Sequence, residues 1–231
     1  MHPYAYIGDN LASIREKCAS RAFSLGVAEP MLLAVTKSAT AEEVSALVRD
    51  FGQRAIAENR TALFCERYDL FSDEERPEMH LIGSLQTNKV KYIAGKVALV
   101  HSLDSLRLAE EIEKQSAKRG VVTRVLLEVN SGREEAKGGV LPEEAEAFAY
   151  AVKEGFPHLS LGGVMTMAPV CVDPEDARPF FRETAKLYHR LLDGGVIEGE
   201  GVLSMGMSDS FLCAIEEGAT VVRIGRALFR K

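Results

Sequence analysis

A strand, a polar turn and a helix follow one another in residues 31–43, MLLAVTKSATAEE. The five apolar residues Met31–Val35 match the length of a buried strand, and a polar turn around Lys37 ends that strand. Thr40 and Glu43 have the S/T-x-x-E spacing of a capping box, which marks the start of a helix. The stretch therefore predicts a β-strand that leads Lys37 into a loop, followed directly by a helix.

The same unit of strand and helix recurs along the chain after a first amphipathic helix predicted over Gly8–Leu25. Eight strands in such alternation predict a parallel (β/α)8 barrel of the TIM type, with an open doubly wound sheet as the alternative. The predicted ranges are Met31–Val35, Arg54–Ala57 with a helix from Asn59, His80–Gly83 with a helix from Thr87, Val97–His101 with Asp104–Arg119, Thr123–Asn130 with Pro142–Glu154, Leu159–Met165 with Pro174–Leu192, Gly201–Ser204 with Asp209–Glu217, and Thr220–Ile224.

Composition and charge restrict the class of protein. The chain has 231 residues without a Pro/Gly/Ser-rich linker, so we expect one domain over residues 1–231. A net charge of −6 argues against nucleic acid and anionic lipid as partners. Four scattered cysteines predict neither a zinc site nor a disulfide framework, and the first ten residues do not resemble a signal peptide. We therefore expect a soluble cytoplasmic protein that does not bind membranes.

Functional residues of such barrels lie where the strands end and the βα loops converge. That rule selects Lys37, Asn59, Ser204 and the segment Arg223–Arg226. A lysine at the end of a buried strand is a candidate amine nucleophile, because partial desolvation disfavours the ammonium form. Taken alone, a lysine in this position is more often a solvated surface residue, so other features must support the interpretation.

Two glycine-containing turns could bind a phosphate group. One is residues 204–209, SMGMSD, and the other is residues 223–226, RIGR. Loops after the last two strands of a barrel often bind phosphate through backbone amides. From spacing alone, glycines that only permit tight turns explain the pattern equally well.

Several motifs, in order along nearly the whole chain, resemble the pyridoxal phosphate homeostasis proteins, which are similar to the N-terminal barrel domain of alanine racemase. The matching segments are residues 33–37 (LAVTK), 58–60 (ENR), 80–89 (HLIGSLQTNK), 101–105 (HSLDS), 129–130 (VN), 203–208 (LSMGMS) and 222–225 (VRIG). An ordered set of this kind is far more specific than any one of its members.

The resemblance implies that Lys37 carries pyridoxal 5'-phosphate (PLP) as an aldimine and that Asn59 helps to line the pocket. It places Arg223 at the pyridine nitrogen, and it places Ser204, Met205, Gly225 and Arg226 around the phosphate. Because a guanidinium only donates hydrogen bonds, such an arginine keeps the ring nitrogen unprotonated and makes the cofactor a weak electron sink.

The implied function is to buffer or deliver vitamin B6, with PLP-dependent apo-enzymes as candidate recipients. The family implies no established turnover, so we assign no catalytic residue, and we expect no metal and a monomer or weak dimer. Arg226 departs from the family, in which a small hydroxyl residue is common at this position. Lys137 is either a second, looser amine site for PLP or a solvated loop residue.

Three alternatives remain. An amino-acid racemase needs a second acid/base on the other face of PLP, and in alanine racemases a second domain supplies it. This chain ends at Lys231, soon after the eighth predicted strand, so we do not expect efficient racemisation. A Schiff-base aldolase without cofactor and a non-catalytic, protein-binding barrel are the other two.

Overall fold

The computed structural model describes residues 2–231, in which eight strands alternate with helices. The strands are β1 (Met31–Val35), β2 (Ala55–Glu58), β3 (Glu78–Leu81), β4 (Leu99–Leu103), β5 (Thr123–Val129), β6 (Leu159–Thr166), β7 (Val202–Ser204) and β8 (Val221–Ile224). The helices are α1 (Ala5–Leu25), α2 (Ala41–Arg49), α3 (Thr61–Asp69), α4 (Val90–Ile93), α5 (Leu106–Arg119), α6 (Pro142–Gly155), α7 (Arg178–Asp193), α8 (Phe211–Glu216) and α9 (Arg226–Phe229). Short 3-10 segments, Thr87–Lys89 and Pro174–Ala177, precede α4 and α7.

The sheet closes on itself. Each strand pairs in parallel with the next one, and β1 also pairs with β8, where Met31 lies opposite Val221 and Ala34 lies opposite Ile224. The (β/α)8 barrel predicted from the sequence is therefore confirmed, and the open doubly wound sheet is wrong. Closure brings the ends of the first and last strands to one side of the barrel mouth.

β1 has its predicted range, five strands differ from theirs by one residue at one or both ends, and two strands are displaced by two residues. β3 begins at Glu78 and ends before Gly83, whereas His80–Gly83 was expected, and β4 covers Leu99–Leu103 where Val97–His101 was expected. The pairing of Ala55 with Glu78 sets the start of β3. An apolar run reports burial, whereas strand ends depend on hydrogen bonding to a neighbour that is distant in sequence.

The capping box at the start of α2 is confirmed. The Glu43 backbone N–H donates to Thr40 Oγ1 (3.2 Å), and the Thr40 N–H donates to Glu43 Oε2 (2.8 Å). A cap of this kind stabilises a helix by about 1 kcal/mol. It also fixes the point at which the turn carrying Lys37 ends.

The two faces of β1 contact different parts of the core. Leu32 and Ala34 belong to the large apolar core, whereas Leu33 and Val35 pack with Ala55, Ala57 and Val221 in a separate cluster. This alternation follows from the two-residue repeat of a strand, and it identifies the second cluster as the barrel interior. Residues opposite these in the register, such as Arg223 opposite Leu33 and His80 opposite Ala57, therefore also face inward.

Within residues 2–231, none of the helices combines the length and the apolar composition needed to cross a bilayer.

Candidate functional site

Lys37 lies in an exposed turn directly after β1. The preceding residue, Thr36, is buried, and its N–H donates to Ala57 O (3.0 Å), so the chain stays attached to β2 up to that point. Among residues 2–231, the Lys37 amine has no hydrogen bond and no ion pair. The structure thus presents an unengaged amine at the mouth of the barrel.

The buried side chains of Glu58 and Arg67 form hydrogen bonds with the two ends of this turn. Thr36 Oγ1 donates to Glu58 Oε1 (2.5 Å), and Arg67 Nη2 donates to Ala39 O (2.7 Å). Arg67 Nε lies 3.7 Å from Glu58 Oε1, and burial raises the pKa of Glu58. The turn between Thr36 and Ala39 is therefore held by groups inside the protein, although Lys37 itself is exposed.

The turn after β8 lies beside the end of β1. A Cβ on Gly225 would be only 3.2 Å from Val35 O, so the backbone at this position fits closely against β1. Val35 precedes Lys37 by two residues. Barrel closure therefore brings the Lys37 turn and the Gly225 turn together, as the sequence analysis expected.

The turns after β7 and β8 are joined to each other. The Arg223 N–H donates to Gly206 O (3.0 Å), and the Ala227 N–H donates to Ser208 Oγ (3.4 Å). Within residues 2–231, the backbone N–H groups of Ser208, Gly225 and Arg226 donate no hydrogen bond. These three amides are among the donors that the paired turns can offer to an anion.

Ser204 and Met205, both predicted to contact phosphate, are buried. The Met205 N–H already donates to Val221 O (3.1 Å). The Ser204 hydroxyl points into the barrel, where it contacts Arg223 and His101. The Arg226 side chain is exposed and pairs with Asp209 across the two turns, so its backbone amide is the part of this residue left for a ligand. Ser208 lies in the turn of residues 204–209 that was expected to bind phosphate, but it was not singled out, because a serine in a turn has no distinctive pattern.

Arg223 is the end of a buried chain of hydrogen bonds. Its Nη1 donates to Ser204 Oγ (2.8 Å) and its Nη2 donates to Thr166 O (2.8 Å). Ser204 Oγ lies 3.1 Å from His101 Nδ1, and His101 Nε2 lies 2.9 Å from His80 Nδ1. The two histidines have no metal-ligand spacing in the sequence and were expected to be structural, but hydrogen bonds connect them to the predicted cofactor arginine.

The charge of Arg223 sets the direction of this chain. Burial lowers the pKa of Arg223 to about 10, so the guanidinium remains charged at neutral pH and can only donate. Burial also holds the pKa of His101 well below 6.5, so this imidazole is neutral. Ser204 Oγ accepts from Arg223, and among the described residues His101 Nδ1 is the acceptor that its own hydrogen can reach. Donation there leaves the proton of neutral His101 on Nε2, facing His80.

Glu128 is a buried carboxyl near the C-terminal end of β5. Burial raises its pKa to about 7, the neighbouring Asp104 adds to the rise, and Arg223 opposes it. Glu128 was not among the predicted site residues. A single charged residue in the apolar run Val125–Val129 is the signal that could have identified it.

The high pKa of Glu128 predicts a pH-dependent cost to folding. Below pH 4.5 the group is protonated in both the folded and the unfolded chain, so its contribution to stability is fully present. Between pH 4.5 and about 7 the unfolded chain ionises while Glu128 in the folded chain stays protonated, so this contribution to stability falls as the pH rises. Above about pH 7 the contribution is lost. We expect the loss to be roughly 3 kcal/mol, and Glu128→Gln to remove it.

Urea unfolding at pH 5 and pH 8 measures this effect. Glu128→Gln is expected to be more stable than wild type at pH 8, and the difference is expected to shrink at pH 5. Glu110→Gln, at an exposed position on α5, is the matched control and should leave the pH profile unchanged. An identical pH dependence in Glu128→Gln and wild type would contradict the assignment.

The remaining predicted residues lie near the mouth of the barrel. Asn59 is half-buried at the end of β2, and its carbonyl packs against Gly83 of the next loop. Lys137, in the loop after β5, pairs with Glu134. In the part of the chain that the structure describes, no three His, Cys, Asp or Glu side chains are grouped to hold a metal ion.

Comparison with known proteins gives the same family at the level of sequence. The family model described as alanine racemase, N-terminal domain, matches residues 10–230. The pyridoxal phosphate homeostasis protein of Aquifex aeolicus is 46% identical over 187 residues, which cover 79% of this chain and 80% of that protein. The protein of the same name from Escherichia coli is 34% identical over 230 residues, covering 96% and 95%.

Solved structures agree on the fold. PipY of Synechococcus elongatus with PLP bound superposes with a TM-score of 0.79 at 26% identity, covering 96% of this chain and 99% of that chain. An alanine racemase of Clostridium difficile superposes with a TM-score of 0.77 at 17% identity, covering 96% of this chain but 56% of the racemase. The racemase comparison concerns the barrel alone.

Proposed function

Because this chain belongs to the family of pyridoxal phosphate homeostasis proteins, we propose that it binds PLP at the mouth of the barrel and holds it covalently through Lys37. We propose that this binding buffers or delivers vitamin B6. The observation that carries the proposal is the pairing of β1 with β8, since it puts the turn that carries an unengaged lysine beside the Gly225 turn, which has unengaged backbone amides.

The residues present suit the chemical groups of PLP. Its aldehyde is a group that a lysine amine captures reversibly, with loss of water. The amides of Ser208, Gly225 and Arg226 are donors suited to a phosphate, and Gly225 leaves room for close approach to the backbone. Asn59 adds a polar side chain on the β2 side. The hydroxyl of Ser204 supports the site indirectly, by orienting Arg223.

Arg223 favours retention of PLP over turnover. A guanidinium has five N–H donors, of which one contacts Ser204 and one contacts Thr166 O, so three remain. A remaining donor directed at the ring nitrogen would keep that nitrogen unprotonated and limit carbanion chemistry. A carboxylate in place of this cation would instead keep the ring nitrogen protonated and favour carbanion chemistry.

Delivery requires a recipient, and we propose that PLP-dependent apo-enzymes in the cytoplasm receive the cofactor. We propose that this chain acts as a monomer or weak dimer. Reversible capture by an exposed amine supports transfer, because a recipient can approach Lys37 without unfolding the barrel.

Spectroscopy of the purified wild-type protein tests the proposal. Added PLP is expected to give a visible absorbance band that survives gel filtration. Borohydride is expected to fix the cofactor, and peptide mass spectrometry is expected to find a pyridoxyl group on the peptide containing Lys37. A colourless protein that retains no PLP would overturn the proposal, and steady conversion of L-alanine to D-alanine with PLP would favour the racemase alternative.

A further inference from the structure

A second cleft lies at the ends of β2 and β3, outside the residues assigned to PLP except for Asn59. It has a volume of about 590 Å³, which is within the usual range for small-molecule sites. Its walls come from the start of α3 on one side and from the segment joining β3 to α4 on the other. That segment belongs to the motif of residues 80–89, most of which the proposed function leaves unexplained.

The cleft is positively charged although the protein is acidic. Arg60 and Lys89 line it, and no Asp or Glu does. Within residues 2–231, neither of these two cations has an ion-pair partner, whereas Arg133 and Arg178 each contact two or more glutamates. Uncompensated cations in a concave site raise the local concentration of anions.

Close packing of two loops makes the cleft a preformed feature. A Cβ on Gly83 would lie 2.2 Å from Asn59 O, so only glycine allows the loop after β3 to approach the loop after β2 this closely. The Ser102 hydroxyl, on β4, donates to Gly83 O (2.7 Å) and so attaches the same loop to the barrel. The backbone of the cleft is therefore preformed, and ordering on ligand binding is confined to exposed side chains such as Arg60 and Lys89.

The rest of the lining combines an aromatic surface with polar groups. Tyr92 is about half exposed, and Lys89 Nζ lies 5.7 Å from the centre of its ring. Thr61 and Ser84 contribute hydroxyl groups. A planar ligand could pack on Tyr92 while its anionic end contacts the nearby cation.

We propose that this cleft binds a small molecule with a planar body and an anionic group, either a phosphate ester or a carboxylate. Arg60 and Lys89 bind the anion, and Tyr92 contacts the planar part. The site does not use Lys37, so it goes beyond the proposed function and does not depend on it.

The experiment uses Lys37→Ala protein, which separates this cleft from covalent capture. Phenyl phosphate and benzoate are titrated by calorimetry and by amide NMR, with benzyl alcohol as the uncharged control. At least one anion is expected to bind and to shift the amide signals of residues 83–92, while benzyl alcohol does not. Binding of phenyl phosphate would identify the natural ligand as a phosphate ester, and binding of benzoate would identify it as a carboxylate.

Charge-removing variants then test the assignment. Arg60→Gln with Lys89→Gln is expected to weaken binding by at least about tenfold. Lys91→Gln is the matched control, because Lys91 also lies near the Tyr92 ring (5.1 Å) but does not line the cleft, and it should change affinity less than about twofold. Circular dichroism verifies that each variant is folded.

Three results would overturn the proposal: neither anion binds at millimolar concentration, the double variant binds as well as its parent, or the shifts map to the turns after β7 and β8. Failure of the proposed function is observed separately, as the absence of a visible absorbance band when wild-type protein is mixed with PLP.

Discussion

Lys37→Ala protein is expected to stay folded and to remain colourless after incubation with PLP and gel filtration. The side chain is exposed and, within residues 2–231, makes no hydrogen bond or ion pair. Its removal should therefore change the free energy of unfolding by no more than about 0.5 kcal/mol. Covalent capture should be lost completely, because no other described amine follows a strand beside the Gly225 turn.

Lys137→Ala is the matched control for this prediction. Lys137 lies in the loop after β5 and already pairs with Glu134, so its replacement should leave the visible band intact. Absorbance after gel filtration and the mass of the borohydride-treated protein distinguish the two variants. A band retained in Lys37→Ala but lost in Lys137→Ala would transfer the amine function to the β5 loop.

Gly163→Ala is expected to destabilise the barrel more than any other alanine substitution considered for this chain. Gly163 lies in β6 opposite Val202 of β7, with φ at +148°. A Cβ there would be 1.9 Å from Val202 O and 2.7 Å from the carbonyl carbon, and these are backbone atoms that cannot rotate away. The strands would have to separate, at an expected cost of at least about 3 kcal/mol.

Thermal unfolding measures this effect, and the midpoint is expected to fall by roughly 6–12 °C for a chain of this length. Gly155→Ala is the matched control, because Gly155 ends α6 and a Cβ there meets no atom within 4 Å. It should be neutral or stabilise by up to about 1 kcal/mol. Equal midpoints for the two variants would show that β6 and β7 can separate at little cost.

Local signals predicted much of the fold. The capping box at Thr40 is formed by neighbours in sequence, so the structure reproduces it directly. The order of strands and helices was also predicted correctly, since hydrophobic periodicity is a local property. The ends of β3 and β4 were displaced because they depend on pairing with other strands.

The candidate site was predicted less completely, for the same physical reason. The adjacency of Lys37 and Gly225 was expected once a barrel was assumed. Whether a polar group is free or already bonded was not predictable. Ser204 and Met205 look like ligands in the sequence, yet their polar groups contact Arg223, His101 and Val221 in the structure.

By itself, the sequence determined the alternation of strands and helices, the position of a lysine at the outlet of β1, and the glycine turns after the last two strands. Only the tertiary structure decided that the sheet closes and that Arg223 and His101 share a buried chain of hydrogen bonds. It also decided that the pKa of Glu128 is raised to about 7 and that Arg60 and Lys89 line one cleft. Periodicity and turn chemistry act over a few residues, whereas desolvation and the choice of polar partners depend on groups brought together from distant parts of the chain.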